Sequence, residues 1–214
     1  MLEVGLTGGI ACGKSSVRRR FENNGVPTLD ADAVVHRLFE PETVVTRELE
    51  NHFGDRVLAE DGSIDRKVLG SIVFGDAAKR KQLEAIVHPR VFEAIDAFFA
   101  AARATGAIIA VVDSALMYET GSQQRYHRVV VAYCPRDVQR KRLMLRDSLS
   151  AERADRRIAA QMPVEEKRDR ADYVIDTSGT MEQTLQRADA VLERLLKDAE
   201  KDQRQSAKTR RRKG

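Results

Sequence analysis

Cysteine is scarce in this 214-residue chain, which has only Cys12 and Cys134. Two thiols set far apart in sequence and context do not suggest a metal framework or a disulfide-stapled fold; one reads as a small loop residue, the other as a core residue at a strand end. The four histidines, His36, His52, His88 and His127, are scattered without zinc-ligand spacing. No apolar run approaches the roughly eighteen residues of a membrane span, and no signal-like segment precedes Leu2. The expected setting is therefore cytoplasmic, without membrane insertion. Tryptophan is absent and aromatic residues make up 5% of the chain, with none of the interleaving of rings and basic residues that would stack nucleic-acid bases.

The charge is unevenly spread. The chain has a formal charge of +4, but residues 201–214 hold seven Lys or Arg against one Asp, which leaves residues 1–200 at −2. The basic tail has no apolar stripe and is expected to be disordered. It could touch nucleic acid or an anionic surface by nonspecific attraction, or could simply be a solvated terminus. With 42% hydrophobic and 33% charged residues, the body reads as globular. Its length suits one α/β domain with a helical insertion. A monomer is expected, because no apolar stripe demands a partner.

The strongest positive signal is Gly8-Gly9-Ile10-Ala11-Cys12-Gly13-Lys14-Ser15, which fits the GxxxxGK[ST] phosphate loop directly behind the apolar run Leu2 to Leu6. A strand delivering such a loop to a helix start presents backbone N–H groups to nucleotide phosphates. Lys14 is placed to reach the β- and γ-phosphates and the Ser15 hydroxyl to hold Mg²⁺. Gly8 and Gly13 fit a turn in which side chains would hinder the backbone's approach.

The periodicity predicts a helix over 14–24, a strand over 26–29, and then a long helical block over 33–105, with Asp65 as an N-cap and His88-Pro89 separating helices 76–87 and 91–104. Strands over 107–112, 127–133 and 173–176 alternate with helices, the last over 181–196. The expected fold is α/β, with a five-stranded parallel sheet, a helical insertion walling a second substrate, and a helical lid.

Several residues could carry chemistry beside the loop. Asp30 and Asp32 follow the second strand, at the end of a parallel sheet where ligands gather. Asp32 is the candidate base or orienter of an acceptor hydroxyl. Asp30 could help set a metal's water shell or cap the next helix. Asp113, at a strand exit, could order magnesium-bound water or serve as a turn carboxylate. Arg142 and Arg146, four apart, share a helix face that could close over ATP or remain solvated. His88 could contact a polar acceptor or be a structural histidine. A nucleotide switch or nucleic-acid-binding protein is the alternative to a kinase.

From end to end the chain resembles the dephospho-coenzyme A kinase family. The shared pattern is Leu6 to Ser15, Asp30-Ala-Asp32, Asp61 to Arg66, Ile86-Val-His-Pro89, Leu116-Met-Tyr-Glu119, Arg142-Leu-Met-Leu-Arg146, Ala160-Gln161 and Ala171 to Asp176. The resemblance implies a three-layer P-loop NTPase-like domain over residues 1–200. Its core would span about 1–32, 106–138 and 171–200, its acceptor-binding region about 33–105 and its lid about 139–170. It implies ATP-dependent phosphorylation of the ribose 3′-hydroxyl of dephospho-coenzyme A, with Mg²⁺ assisting, as the final step of coenzyme A synthesis. Ala11 to Ser16, Ser16 included, would wrap the ATP phosphates, and His88, Tyr118 and Glu119 would border the acceptor cleft. Cys12, Ser16, Ser114 and Thr177-Ser178 depart from the family's usual residues; Cys12 suggests a loop sensitive to oxidation or alkylation.

Overall fold

The computed structural model describes residues 1–211, with side chains through Arg204. The chain divides into two compact units. One comprises Met1–Leu29 together with the chain from Phe99 onward, and the other comprises Asp30–Phe98.

The first unit is built on strands β1 (Leu2–Gly8), β3 (Ile109–Asp113), β4 (Arg128–Tyr133) and β5 (Tyr173–Asp176), with β2 (Thr28–Asp30) at one edge, in the order β2-β3-β1-β4-β5. β1 runs parallel to both β3 and β4, pairing Leu2 with Ile109 and Val4 with Arg128, and β4 runs parallel to β5, pairing Val130 with Tyr173. Pro27 accepts from the Val111 N–H at 2.9 Å and ties the second strand's approach to β3. The expected five-stranded parallel sheet is therefore present. Central β1 reads as a continuous apolar run because both of its faces are covered. On one face Leu2, Val4 and Leu6 pack with Val17 and Phe21 of α1 (Lys14–Asn23) and with Ala188, Val191, Leu192 and Leu195 of the last helix. On the other face a Cβ at Gly5 would lie 2.7 Å from the Met117 sulfur and from the Tyr126 ring, so only glycine fits.

The second unit holds α2 (Ala31–Leu38), α3 (Val44–Phe53), a 3₁₀ turn at Asp55–Val57, α4 (Arg66–Val73) and most of α5 (Ala77–Ala104). Polar side chains stop its helix starts from fraying. Thr43 accepts from the Thr46 N–H, Asp65 from the Lys67 and Val68 N–H groups, and Asp76 from the Ala78 and Lys79 N–H groups. Caps of this kind contribute about 1 kcal/mol each.

Two helices differ from the sequence expectation. α5 is continuous through Pro89 where a break had been expected. Val87, Val91, Ile95, Phe99 and Ala102 form a buried stripe at helical spacing across the proline; that packing outweighs the single backbone hydrogen bond that Pro89 cannot donate. The closing helix, α9 (Met181–Arg211), continues fifteen residues beyond the expected Leu196. The expectation of a disordered tail from Lys201 is thus corrected as far as Arg211, while residues 212–214 lie outside the described residues. No Gly or Pro interrupts 181–211, and buried Ala199 extends the apolar stripe past Leu196. Among the described residues, no helix is long and apolar enough to cross a membrane.

Candidate active site

The segment between β1 and α1 turns sharply. Ala11 has φ 61°, a left-handed value uncommon for a residue with a Cβ, and Gly13 follows at 72°. The Cys12 N–H donates to Gly9 O at 3.1 Å, and the Ser16 and Val17 N–H groups donate back to Gly13 O. A Cβ at Gly8 would lie 2.4 Å from Ala132 O, and one at Gly9 would lie 2.0 Å from Gln139 Nε2. The second and third glycines of the motif have different reasons to be there: Gly9 is needed for close approach and Gly13 for its backbone angle. At the start of α1, Gly13 provides no side-chain cap, so no capping side chain accepts from the first-turn N–H groups.

Other elements brace the loop. Gln161, which follows α7 (Ala151–Ala159), accepts from the Ile10 N–H at 2.9 Å. Buried Gln139, on α6 (Arg136–Asp147), donates to Ile10 O at 3.1 Å and to Cys12 Sγ at 3.1 Å. Ile10 and Ala11 also pack on a cluster of Leu143, Ala154 and Ile158 from α6 and α7. Immediately after β5, buried Thr177 places its hydroxyl 2.9 Å from Cys12 O and 3.0 Å from Tyr133 O.

Lys14 forms a close ion pair with Asp113 Oδ1, and Arg18 Nε lies 3.4 Å from Asp113 Oδ2. Asp113, only 1% exposed, is acceptable in that position because two cations face it. Asp113 thus holds the Lys14 ammonium. Ser15 is exposed on the first turn of α1.

A cleft of about 230 Å³ opens beside the loop, lined by Ala11, Gly13, Ser16, Arg142, Thr177, Gly179, Met181 and Thr184. Arg142 donates through Nη2 to Thr177 O at 2.6 Å and through Nη1 to the Thr177 hydroxyl at 3.4 Å, so it is fixed at the cleft wall. Arg146, one turn further along α6, is turned onto its neighbour Asp147, with Nε–Oδ1 at 2.8 Å and Nη2–Oδ2 at 3.1 Å, and its side chain is 57% exposed. Those bonds, together with Arg157, hold the Asp147 carboxyl below the usual carboxylate range. The structure thus brings Arg142 to the loop and leaves Arg146 on a separate ion pair.

Tyr118 and Glu119 lie in the segment after β3. Glu119 accepts from the Met162 N–H at 2.9 Å and pairs with Lys167 at 2.8 Å. Lys167, on α8 (Val164–Asp169), is fully buried and also donates to Ala115 O at 2.9 Å. These contacts make Glu119 the counter-ion of a buried lysine. The buried Tyr118 hydroxyl has no hydrogen-bond partner among the described residues. Burial, and then the Asp172 carboxylate, raise its pKa.

In the second unit, Asp30 accepts from the Ala33 N–H at 3.1 Å and so caps α2, one of the two roles considered for it. Asp32 is exposed on the first turn of α2 and makes no hydrogen bond or ion pair among the described residues. His88 sits within α5 with its ring 5.8 Å from that of Phe92. Sequence reasoning did not single out Gln139, Thr177 and Lys167 for these positions. The long-range partners that bury the Gln139 amide and the Lys167 ammonium cannot be read from neighbours in sequence, but Thr177 stands directly at a strand's carboxyl end, which could have marked it.

A strand, an uncapped glycine-rich turn with Lys14 and Ser15, and a cleft bordered by an arginine define a P-loop kinase. A solved shikimate kinase from Acinetobacter baumannii shares this fold, with a TM-score of 0.53 at 16% identity, covering 92% of this chain and 94% of that one. The family model for dephospho-CoA kinase matches residues 2–183, and the chain belongs to that family. It is 45% identical over 192 residues to a dephospho-CoA kinase of Anaeromyxobacter dehalogenans, covering 90% of this chain and 91% of that protein. It is 44% identical to one from Geobacter sulfurreducens, covering 88% and 95%. A solved dephospho-CoA kinase from Campylobacter jejuni superposes with a TM-score of 0.68 at 28% identity, covering 92% and 98%.

Proposed function

We propose that this kinase transfers the γ-phosphoryl group of ATP to the ribose 3′-hydroxyl of dephospho-coenzyme A, releasing coenzyme A and ADP. The observation that carries this reading is the α1 start, which lacks a side-chain cap and stands beside the Arg142 cleft in a chain of this family. The triphosphate would occupy the loop from Gly8 to Ser16. Lys14 would exchange Asp113 for the β- and γ-phosphates, and Arg142 would neutralise charge from the cleft wall. Arg146 would leave Asp147 when the lid closes.

Mg²⁺ suits the oxygen donors available. The exposed Ser15 hydroxyl is a hard ligand, and Mg²⁺ characteristically uses few protein ligands together with substrate phosphates and water. Asp113 already faces two cations and would act through water, whereas the Asp30 carboxylate caps α2. When bound, the ion supplies charge neutralisation at the phosphates. Asp32, which makes no hydrogen bond or ion pair among the described residues, would orient the acceptor hydroxyl and take its proton as the new O–P bond forms. His88, Tyr118 and Glu119 would border the acceptor, with Glu119 acting through the Lys167 contact that fixes its segment.

The test is ADP formation from ATP and Mg²⁺ with dephospho-coenzyme A, shikimate or no acceptor, repeated with Asp32→Asn. Turnover that requires dephospho-coenzyme A and falls at least a hundredfold in the variant, with ATP affinity retained, is expected. Turnover with another acceptor alone would contradict the assignment, and an unaffected variant would remove Asp32 from the chemistry.

A further inference from the structure

The two cysteines, 122 residues apart in sequence, meet behind the phosphate loop with their sulfurs 3.2 Å apart. Both are free and buried, Cys12 at 1% exposure and Cys134 at 0%. The sequence expectation that they occupy unrelated contexts is therefore wrong: a β1 exit and a β4 exit are neighbours in this sheet. Among the described residues, no group of three His, Cys, Asp or Glu side chains that could hold a metal ion occurs. A disulfide needs sulfurs about 2.05 Å apart, an approach of roughly 1 Å from this arrangement.

We propose that Cys12 and Cys134 are a redox modification site, forming a reversible disulfide under a hydroperoxide and thereby pulling the phosphate loop away from its nucleotide-binding shape. Cys12 is the attacking thiol. The Cys134 thiol and the Gln139 amide both direct hydrogens at its sulfur, and the Cys134 contact lowers the Cys12 pKa against the opposing effect of burial. The same contact, reinforced by burial, pushes the Cys134 thiol up. In the first step Cys12 Sγ attacks a peroxide oxygen; the O–O bond breaks, an alcohol or water leaves, and Cys12 becomes a sulfenic acid. Cys134 Sγ then displaces the sulfenic oxygen, which departs as water with the Cys134 proton. Two thiols have lost two electrons and the peroxide has gained them.

The loop has little slack to absorb the new bond. Cys12 lies between Ala11 and Gly13, both at positive φ, and its own N–H and C=O are committed to Gly9 and Thr177. Movement of Cys12 towards β4 therefore transmits to the backbone that would meet the phosphates. The functional half of the proposal rests on the ATP reading above; the covalent half does not.

The full-length protein should be treated with hydrogen peroxide, mapped by non-reducing peptide mass spectrometry, and titrated with a fluorescent ATP analogue before and after dithiothreitol. The expected result is a Cys12–Cys134 cross-linked peptide with at least tenfold weaker analogue binding, both reversed by the reductant. Cys134→Ser should retain analogue binding before oxidation and, after peroxide, carry a dimedone-trappable Cys12 with no cross-link. Free thiols or only separate overoxidised peptides after peroxide would overturn the site, and a cross-link with unchanged analogue binding would overturn its effect on the loop. A reduced protein that cross-links but never binds the analogue would instead refute the ATP reading, because the mapping does not depend on it.

Discussion

Two helices begin beside the same cleft, and they begin differently. At α1, Gly13 leads into Lys14 without any side-chain cap. At α9, Thr180 and Gln183 cap each other: the Gln183 N–H donates to the Thr180 hydroxyl at 3.2 Å, and the Thr180 N–H donates to Gln183 Oε1 at 3.1 Å. Both helices pack on the same sheet face, so packing does not account for the difference. The α9 start ties its Gln183 donor to its own cap, whereas at the α1 start the Ser16 N–H turns back to Gly13 O and no side chain caps the Lys14 and Ser15 N–H groups. Backbone hydrogen-bond accounting separates binding element from scaffold where proximity to the cleft does not.

The largest expected effect comes from stripping the charge at the open end. Lys14→Ala should reduce kcat/KM by roughly 10²–10³-fold, measured by steady-state kinetics on a variant whose circular dichroism matches the parent; a loss below tenfold would break the contrast. Arg142→Ala should follow, with roughly tenfold to hundredfold lower kcat/KM and weaker ATP binding, because the side chain already lines the cleft. Arg146→Ala should lower kcat about tenfold with ATP affinity nearly unchanged, as expected of a group that leaves Asp147 only on closure; an equal loss in ATP affinity would place it at the nucleotide beforehand. The smallest effect belongs to the self-capped end. Thr180→Ala should cost about 1 kcal/mol of stability in urea denaturation while leaving nucleotide affinity within a factor of two or so.

Much of this contrast was legible in the sequence. The phosphate loop names its residues by spacing, Asp65 stands at a helix start where its side chain caps, and β5 coincides with its apolar run Tyr173–Asp176. What escaped depends on contacts across the chain. Pro89 looked like a boundary because local propensity opposes an internal proline, yet the stripe from Val87 to Ala102 carries the helix through. The family resemblance suggested an acceptor-side role for Glu119, and only the fold reveals the buried Lys167 that pairs with it. Cys12 and Cys134 meet because β1 and β4 are adjacent, which their separation in sequence conceals.

The decisive measurement is the stoichiometry of products from ATP, Mg²⁺ and dephospho-coenzyme A, with mass identification of the acceptor after the reaction. Coenzyme A and ADP are expected in equal amounts, with negligible ADP without the acceptor. ADP released without acceptor phosphorylation, or nucleotide bound with no turnover, would contradict the proposed reaction.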